Sequence, residues 1–196
     1  MPAAFFLVFP ALWLAWLLYW GVAALGAKRT ERRESAGSRL LHALPLMLAA
    51  YLIWADRVPG RWLNERLLAW RPWQFWIGAL LTALGLGFTV WARVQLGRNW
   101  SATVTIKQDH ELVTSGPYAI VRHPIYTGLL VAFAGSALAR GEWRSAAAIV
   151  IAWAAIWRKL KLEERWMVER FGERYRAYRE RLPALVPFAK GWADRC

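Results

Sequence analysis

Long uncharged runs alternate along the chain with short basic ones. Residues 3–26 carry no charge. At about 1.5 Å per residue this run reaches about 36 Å, more than a hydrocarbon core of about 30 Å, and predicts a first transmembrane helix. The basic residues beside it (Lys28, Arg29, Arg32, Arg33) follow rather than precede it, the pattern of a retained signal-anchor and not of a cleaved signal peptide. Residues 40–55, interrupted only by His42 and Pro45, predict a second helix. Residues 72–92 predict a third, opened by a proline suited to a first helical turn. After a polar stretch at 93–123 come two shorter apolar runs, 124–139 and 143–157, separated by Arg140-Gly141-Glu142. Each covers only about 24 Å, which predicts a helical hairpin that is tilted, partly re-entrant or extended by polar turns.

In the tail, Met167, Phe171, Tyr175, Tyr178 and Leu182 recur at steps of three and four and form one apolar stripe among charged residues. The predicted fold class is therefore all-α. It is a polytopic integral membrane protein with about five transmembrane helices, including a C-terminal hairpin, and a cytoplasmic amphipathic helix. Residues 1–92 form one region of three membrane helices, and residues 93–196 a second that carries the polar clusters.

Composition supports a bilayer. Of 196 residues, 58% are hydrophobic and 15 are tryptophan, against about 45–50% apolar residues in a soluble domain. The formal charge of +13 has to lie outside the hydrocarbon. Twenty of the 26 Lys and Arg residues fall in 28–39, 93–123 and 158–196, on one side of this topology. Because cytoplasmic loops collect basic residues, the N-terminus is expected outside and the tail in the cytoplasm, in an inner or cell membrane. The charge thus orients the protein against the bilayer and points to no nucleic-acid partner. Tryptophans near the predicted helix ends read as interfacial anchors. One cysteine and three histidines exclude an intrachain disulfide and argue against a structural metal site.

The polar groups that could do chemistry fall in 93–126 and 158–164, which the hairpin brings to one membrane face. Ser115-Gly116-Pro117-Tyr118 is turn chemistry, and Arg122-His123-Pro124 opens the fourth helix. A helix start offers backbone N–H groups to a carboxylate or phosphate, although it also serves as a capped entry to a membrane helix. Glu163 and Glu164 lie one turn beyond Arg158 and Lys159. They form either an ordinary i,i+4 pair, Lys159 with Glu163, or a carboxylate aimed into a cleft to receive a cation.

Three stretches have a more specific meaning: Leu96-Gly97-Arg98-Asn99-Trp100-Ser101, the run from His110 to Tyr118, and that from Val121 to Gly128. Together with Glu163-Glu164, Phe171-Gly172-Glu173-Arg174-Tyr175 and Arg181-Leu182-Pro183, they closely resemble the isoprenylcysteine carboxyl methyltransferase family. The likeness covers roughly residues 93–190. It implies an integral membrane enzyme that moves a methyl group from S-adenosylmethionine to the carboxylate of a lipid-modified cysteine. Position by position, it implies that His110, Leu112 and Val113 surround the cofactor, and that Tyr118, His123, Pro124, Ile125 and Tyr126 line it further. Glu163, with Glu164 beside it, would hold the cofactor's ammonium or ribose end. Lys159 stands where the family has a substrate-contacting arginine. Arg158 beside it could grip the substrate carboxylate in its place, and Arg93 is a further candidate for that task.

The chemistry agrees with this assignment. Methyl transfer from a sulfonium to an ionised carboxylate needs alignment and desolvation more than a general base. The expected partners are the bilayer and a lipophilic or prenylated small molecule or peptide. Alternatives are phospholipid N-methylation, in which Glu164 or Tyr126 would take a proton, an isoprenoid- or sterol-type reductase, and a membrane scaffold. Gly85-Leu86-Gly87 resembles a Gly-x-Gly of phospholipid methyltransferases, and equally suits close helix packing.

Overall fold

A computed structural model describes residues 4–25, 30–97, 100, 105–107 and 112–187, with the backbone alone at 30–33 and 105–107. Among the described residues six α-helices follow in order: α1 (Phe5–Ala24), α2 (Ala36–Trp54), α3 (Pro72–Leu96), α4 (Pro124–Arg140), α5 (Trp143–Phe171) and α6 (Glu173–Arg181). Two short strands, β1 (Thr30–Arg33) and β2 (Thr105–Lys107), pair antiparallel. The helix ends follow their sequence signals. Pro72 and Pro124 open α3 and α4 from the first turn, where no N–H is required. Ser35 caps α2 by accepting from the Ser38 amide at 3.2 Å. Gly141, at φ 65°, ψ 27°, ends α4 in the left-handed conformation that glycine adopts without cost.

Helices α1, α2 and α3 have the length and apolarity to cross a membrane. The α4–α5 hairpin packs against them. The β1–β2 ribbon joins the chain before α2 to the chain before α4, so these segments share one end of the bundle. At the other end, the backbones of Arg66 and Glu142 pair in a single antiparallel bridge and Leu67 N donates to Gly141 O at 2.9 Å. The alternation of ends expected from the charge pattern is thus built into the backbone.

The tightest seam lies between α3 and α4, and its cause is glycine at a spacing of seven. A Cβ at Gly85 would stand 2.5 Å from Gly128 O, and one at Gly78 2.6 Å from Gly135 O. Backbones this close leave room only for hydrogen. Thr82, between the two glycines of α3, hydrogen-bonds to Gly78 O at 2.8 Å and meets Ser136 Oγ at 3.2 Å. Gly87 has nothing near its Cβ position. Gly85-Leu86-Gly87 is therefore one packing contact and one open position.

Three sequence expectations change in detail. Trp13 and Trp16 turn inward, donating to Ser136 Oγ at 3.1 Å and to Thr89 Oγ1 at 2.6 Å, and thereby fasten α1 to α3 and α4. Arg140 and Arg144, counted with the loops opposite the basic face, are almost fully buried. They cap the C-terminal end of α2: Arg140 donates to Ile53 O and Ala55 O at 2.9 Å, Arg144 to Ala55 O at 2.8 Å, with Glu142 between them. These carbonyls have no partner within their own helix, so a buried guanidinium is well placed there. Finally, the second hairpin arm does not stop at Trp157. It continues as one helix to Phe171, which carries Arg158 to Glu164 rigidly out of the bundle. Gly172, at φ 53°, then breaks the tail stripe into the end of α5 and the short α6.

Candidate active site

The end of the bundle that carries the ribbon holds a buried polar network between α4, α5 and the chain that follows α6. Its centre is Glu164, whose side chain is 9% exposed. Glu164 Oε1 accepts from Arg122 Nε at 2.8 Å, lies 2.8 Å from Arg122 Nη2, and lies 3.2 Å from His123 Nε2. Arg122 Nη1 donates in turn to Arg179 O at 2.8 Å and to Leu182 O, which caps α6.

Glu163 lies on the other side of the same imidazole, with Oε2 3.6 Å from His123 Nδ1, and accepts from Tyr126 Oη at 2.6 Å. The His123 and Tyr126 rings stack with centroids 5.5 Å apart. Lys159 Nζ stands 5.5 Å from the centre of the Tyr126 ring. The adjacent glutamates thus have different settings. Glu164 is committed to Arg122 and His123, whereas the Glu163 side chain keeps about a quarter of its surface exposed, 24%.

Electrostatics follow this division. Burial alone would raise Glu164, but the hydrogen bond and charge of His123, helped by Arg122, outweigh it and hold the carboxyl down at about 2. Burial likewise opposes ionisation of Glu163, and His123, Lys159 and the Tyr126 hydroxyl reverse the balance and lower it. Burial would lower His123, yet its hydrogen bonds to the two glutamates raise it above its ordinary value. His123 thus lies between two carboxylates that favour its protonated form. Burial pushes the Tyr118 and Tyr178 phenols well up, so both remain donors; Tyr178 Oη donates to Tyr118 O at 2.6 Å.

The start of α4 is less open to an anion than its sequence suggests. Arg122 N and His123 N donate to Pro183 O and Ala184 O at 3.0 Å, and Thr127 Oγ1 donates to Leu185 O at 2.6 Å. The segment after α6 therefore lies across the entry to α4. Since Pro124 has no N–H, Ile125 and Tyr126 carry the first-turn amides that face outward from the helix end.

Of the sequence candidates, His123, Tyr126, Lys159, Glu163 and Glu164 form this one cluster. Tyr118 is buried in the turn before it, and Pro124 and Ile125 belong to the first turn of α4. The turn that holds Tyr118 is tied to the end of α3 by Gln95 Nε2, which donates to Ser115 Oγ at 2.7 Å. Leu112 and Val113 are half-buried just upstream. His110 lies outside the described residues. Arg93 is held apart from the cluster: it donates to Ala23 O and, at 2.5 Å, to Gly97 O, with Trp100 stacked at 4.6 Å. Arg158 turns to α2, donating to Ser38 O and Ser38 Oγ at 3.2 Å. Sequence reasoning missed Arg122, whose basic character suggested only topology. Its position beside His123-Pro124 and a helix carrying two glutamates was the available signal.

The fold is therefore that of a helical membrane protein with a buried His–Glu–Glu cluster at the mouth of its terminal hairpin. The family model for phospholipid methyltransferases matches residues 73–174, and the chain belongs to that family. The protein-S-isoprenylcysteine O-methyltransferase of Schizosaccharomyces pombe is 35% identical over 99 residues, 49% of this chain and 42% of that protein. Protein-S-isoprenylcysteine O-methyltransferase B of Arabidopsis thaliana is 32% identical over 121 residues, 59% of this chain and 61% of the relative. The cobalt-zinc-cadmium resistance protein CzcN of Cupriavidus metallidurans is 32% identical over 115 residues, 57% of this chain and 51% of that protein. The chain thus spans about half the length of the curated relatives it matches. A solved structure of the eukaryotic intramembrane Ras methyltransferase, an isoprenylcysteine carboxyl methyltransferase, shares the fold with a TM-score of 0.56 at 22% identity, over 79% of this chain and 52% of that one.

Proposed function

We propose that this protein is a membrane-embedded, S-adenosylmethionine-dependent methyltransferase that esterifies the carboxylate of an isoprenylcysteine-like or other lipophilic acceptor at the cytoplasmic face. The observation that carries this reading is the partly exposed, ionised Glu163, fixed by His123 and Tyr126 at the mouth of the hairpin.

The donor set suits this cofactor. An anionic side chain held ionised next to helix-start amides offers complementary partners to a zwitterion that carries an ammonium and a carboxylate. Glu163 would hold the ammonium or ribose end, and the α4 first turn at Ile125 and Tyr126 the carboxylate. Leu112, Val113 and Tyr118 would flank the site. When bound, the cofactor supplies an electrophilic methyl on a sulfonium.

The residues of the chain then have to orient and desolvate. Glu164 and Arg122 fix His123, His123 and Tyr126 fix the rotamer of Glu163, and Lys159 offers an ammonium on the face of Tyr126 to an acceptor carboxylate. An acceptor that is already ionised requires no proton removal. The acceptor's lipid tail would lie in the bilayer, with five membrane segments, the N-terminus outside and the tail cytoplasmic, as the distribution of basic residues supports.

Calorimetric titration of S-adenosylmethionine into detergent-purified protein tests the cofactor assignment. Micromolar-range binding that Glu163→Gln weakens about tenfold or more supports it; a folded protein without heat of binding rejects it. The family description favours a second reading, N-methylation of a phospholipid amine, which predicts a methyl on nitrogen that alkali does not release as methanol, instead of a base-labile methyl ester.

A further inference from the structure

Residues at the start of α2, a helix whose sequence reads as generic membrane span, reach the same end of α5 as the carboxylates. Glu34, one residue before the α2 cap, and His42, on its second turn, are both 5% exposed. Glu34 Oε1 lies 3.5 Å from His42 Nε2, and His42 Nδ1 lies 3.5 Å from Arg158 Nη1. The same guanidinium donates to Ser38 O and Ser38 Oγ. An arginine can only donate, so Nδ1 has to face it unprotonated, and the ring proton points from Nε2 toward Glu34.

Three α2-side groups therefore engage Arg158 in the seam between α2 and α5. Lys159, the next residue and about 100° further round the helix, faces α4 over the Tyr126 ring. Arg158 and Lys159 are neighbours on one turn of α5, so seam and active site adjoin. Two adjacent cations are divided between two helix contacts.

We propose that Ser38, His42 and Glu34 are positioning residues of the methyl-transfer site: they keep the Arg158 guanidinium in the α2–α5 seam, so that Lys159 is the one of the two cations that meets the acceptor carboxylate. This rests on the carboxyl methyltransferase reading. Its consequence concerns specificity. An ammonium is a point charge that accepts a carboxylate in many orientations, whereas a guanidinium imposes a planar, bidentate fit. A released Arg158 would compete for the same anion.

The test uses the full chain in detergent, saturated with S-adenosylhomocysteine so that no turnover occurs, and titrated with an S-farnesylcysteine analogue as free acid or as carboxamide. Lys159→Met should weaken the acid roughly tenfold and leave the carboxamide unchanged. Adding Ser38→Ala, or separately His42→Gln, to Lys159→Met should restore affinity for the acid several-fold. A further Arg158→Met should abolish the restoration. A second substitution that is neutral or further weakening in the Lys159→Met background overturns the inference, provided thermal unfolding shows the variant folded; Ser38→Ala, which deletes one oxygen, keeps the test open if His42→Gln does not fold. Wild-type protein that fails to bind S-adenosylhomocysteine defeats the methyltransferase reading itself. Protein that binds it but does not prefer the acid to the amide defeats this inference alone.

Discussion

Arg122 and Glu164, 42 residues apart, are joined by two contacts of 2.8 Å to one carboxylate oxygen, and both side chains are nearly inaccessible to solvent. This pair fixes the start of α4 against the polar extension of α5 and so sets the spacing of the proposed site. Removing one partner of a buried pair leaves the other charge uncompensated, at a typical cost of about 3–5 kcal/mol. Glu164→Gln should lower the unfolding midpoint in detergent strongly, and much more than Glu173→Gln on the exposed start of α6. Equal effects would remove Glu164 from its bracing role.

The tuned ionisations predict a stability window. Glu164 is depressed from 4.5 to about 2, so its contribution is present above pH 4.5 and is lost as pH falls from there toward 2. His123 is raised above 6.5, so its contribution is complete below pH 6.5 and is lost as pH rises through its folded-state value. Thermal unfolding should therefore show wild type losing stability on the alkaline side relative to His123→Gln. Parallel pH profiles for the two proteins would contradict an upward shift of His123.

The two glycines of Gly85-Leu86-Gly87 should behave oppositely. Gly85→Ala drives a methyl against the α4 backbone, and overpacking of this kind costs about 1–3 kcal/mol. Gly87→Ala meets open space and gains helix propensity, by up to about 1 kcal/mol in a water-exposed helix. Unfolding midpoints should separate the variants in that order, and a loss at Gly87 that exceeds the loss at Gly85 would contradict the packing role.

Tyr126→Phe deletes the hydroxyl that donates to Glu163 while keeping the stack on His123. A hydrogen bond to a charged group contributes about 1.5–3 kcal/mol, so the unfolding midpoint should fall, and the dissociation constant for S-adenosylmethionine should rise about tenfold because Glu163 loses the group that orients it. Unchanged affinity would detach Tyr126 from the orientation of Glu163.

Much of this architecture is legible in the sequence because bilayers impose length and apolarity directly. The runs at 3–26, 72–92 and 124–139 differ from the observed helices by at most four residues at either end. Periodicity was less informative where two environments share one helix: α5 changes from apolar to charged at Arg158, which reads as an end although the backbone continues. The β1–β2 ribbon joins segments more than 70 residues apart and has no hydrophobic alternation to betray it. At the site, His123, Tyr126 and Glu163 follow from the family likeness. The division of labour between Glu163 and Glu164 needed the rotation of α5 about its axis, which places one carboxylate toward Arg122 and the other toward Tyr126. Glu34, Ser38 and His42 were hidden because polar groups at a membrane-helix start also suit simple capping.

The reaction proposed for the His123–Glu163 cluster is methyl transfer from S-adenosylmethionine to a carboxylate. Its most direct measurement incubates membranes containing the protein with methyl-labelled S-adenosylmethionine and an S-farnesylcysteine analogue, then treats the extracted product with alkali. The labelled product should release volatile labelled methanol, as a methyl ester does, and should be lost in Glu163→Gln. Label that alkali does not release as methanol, or labelling undiminished in Glu163→Gln, would contradict carboxyl methylation at this cluster.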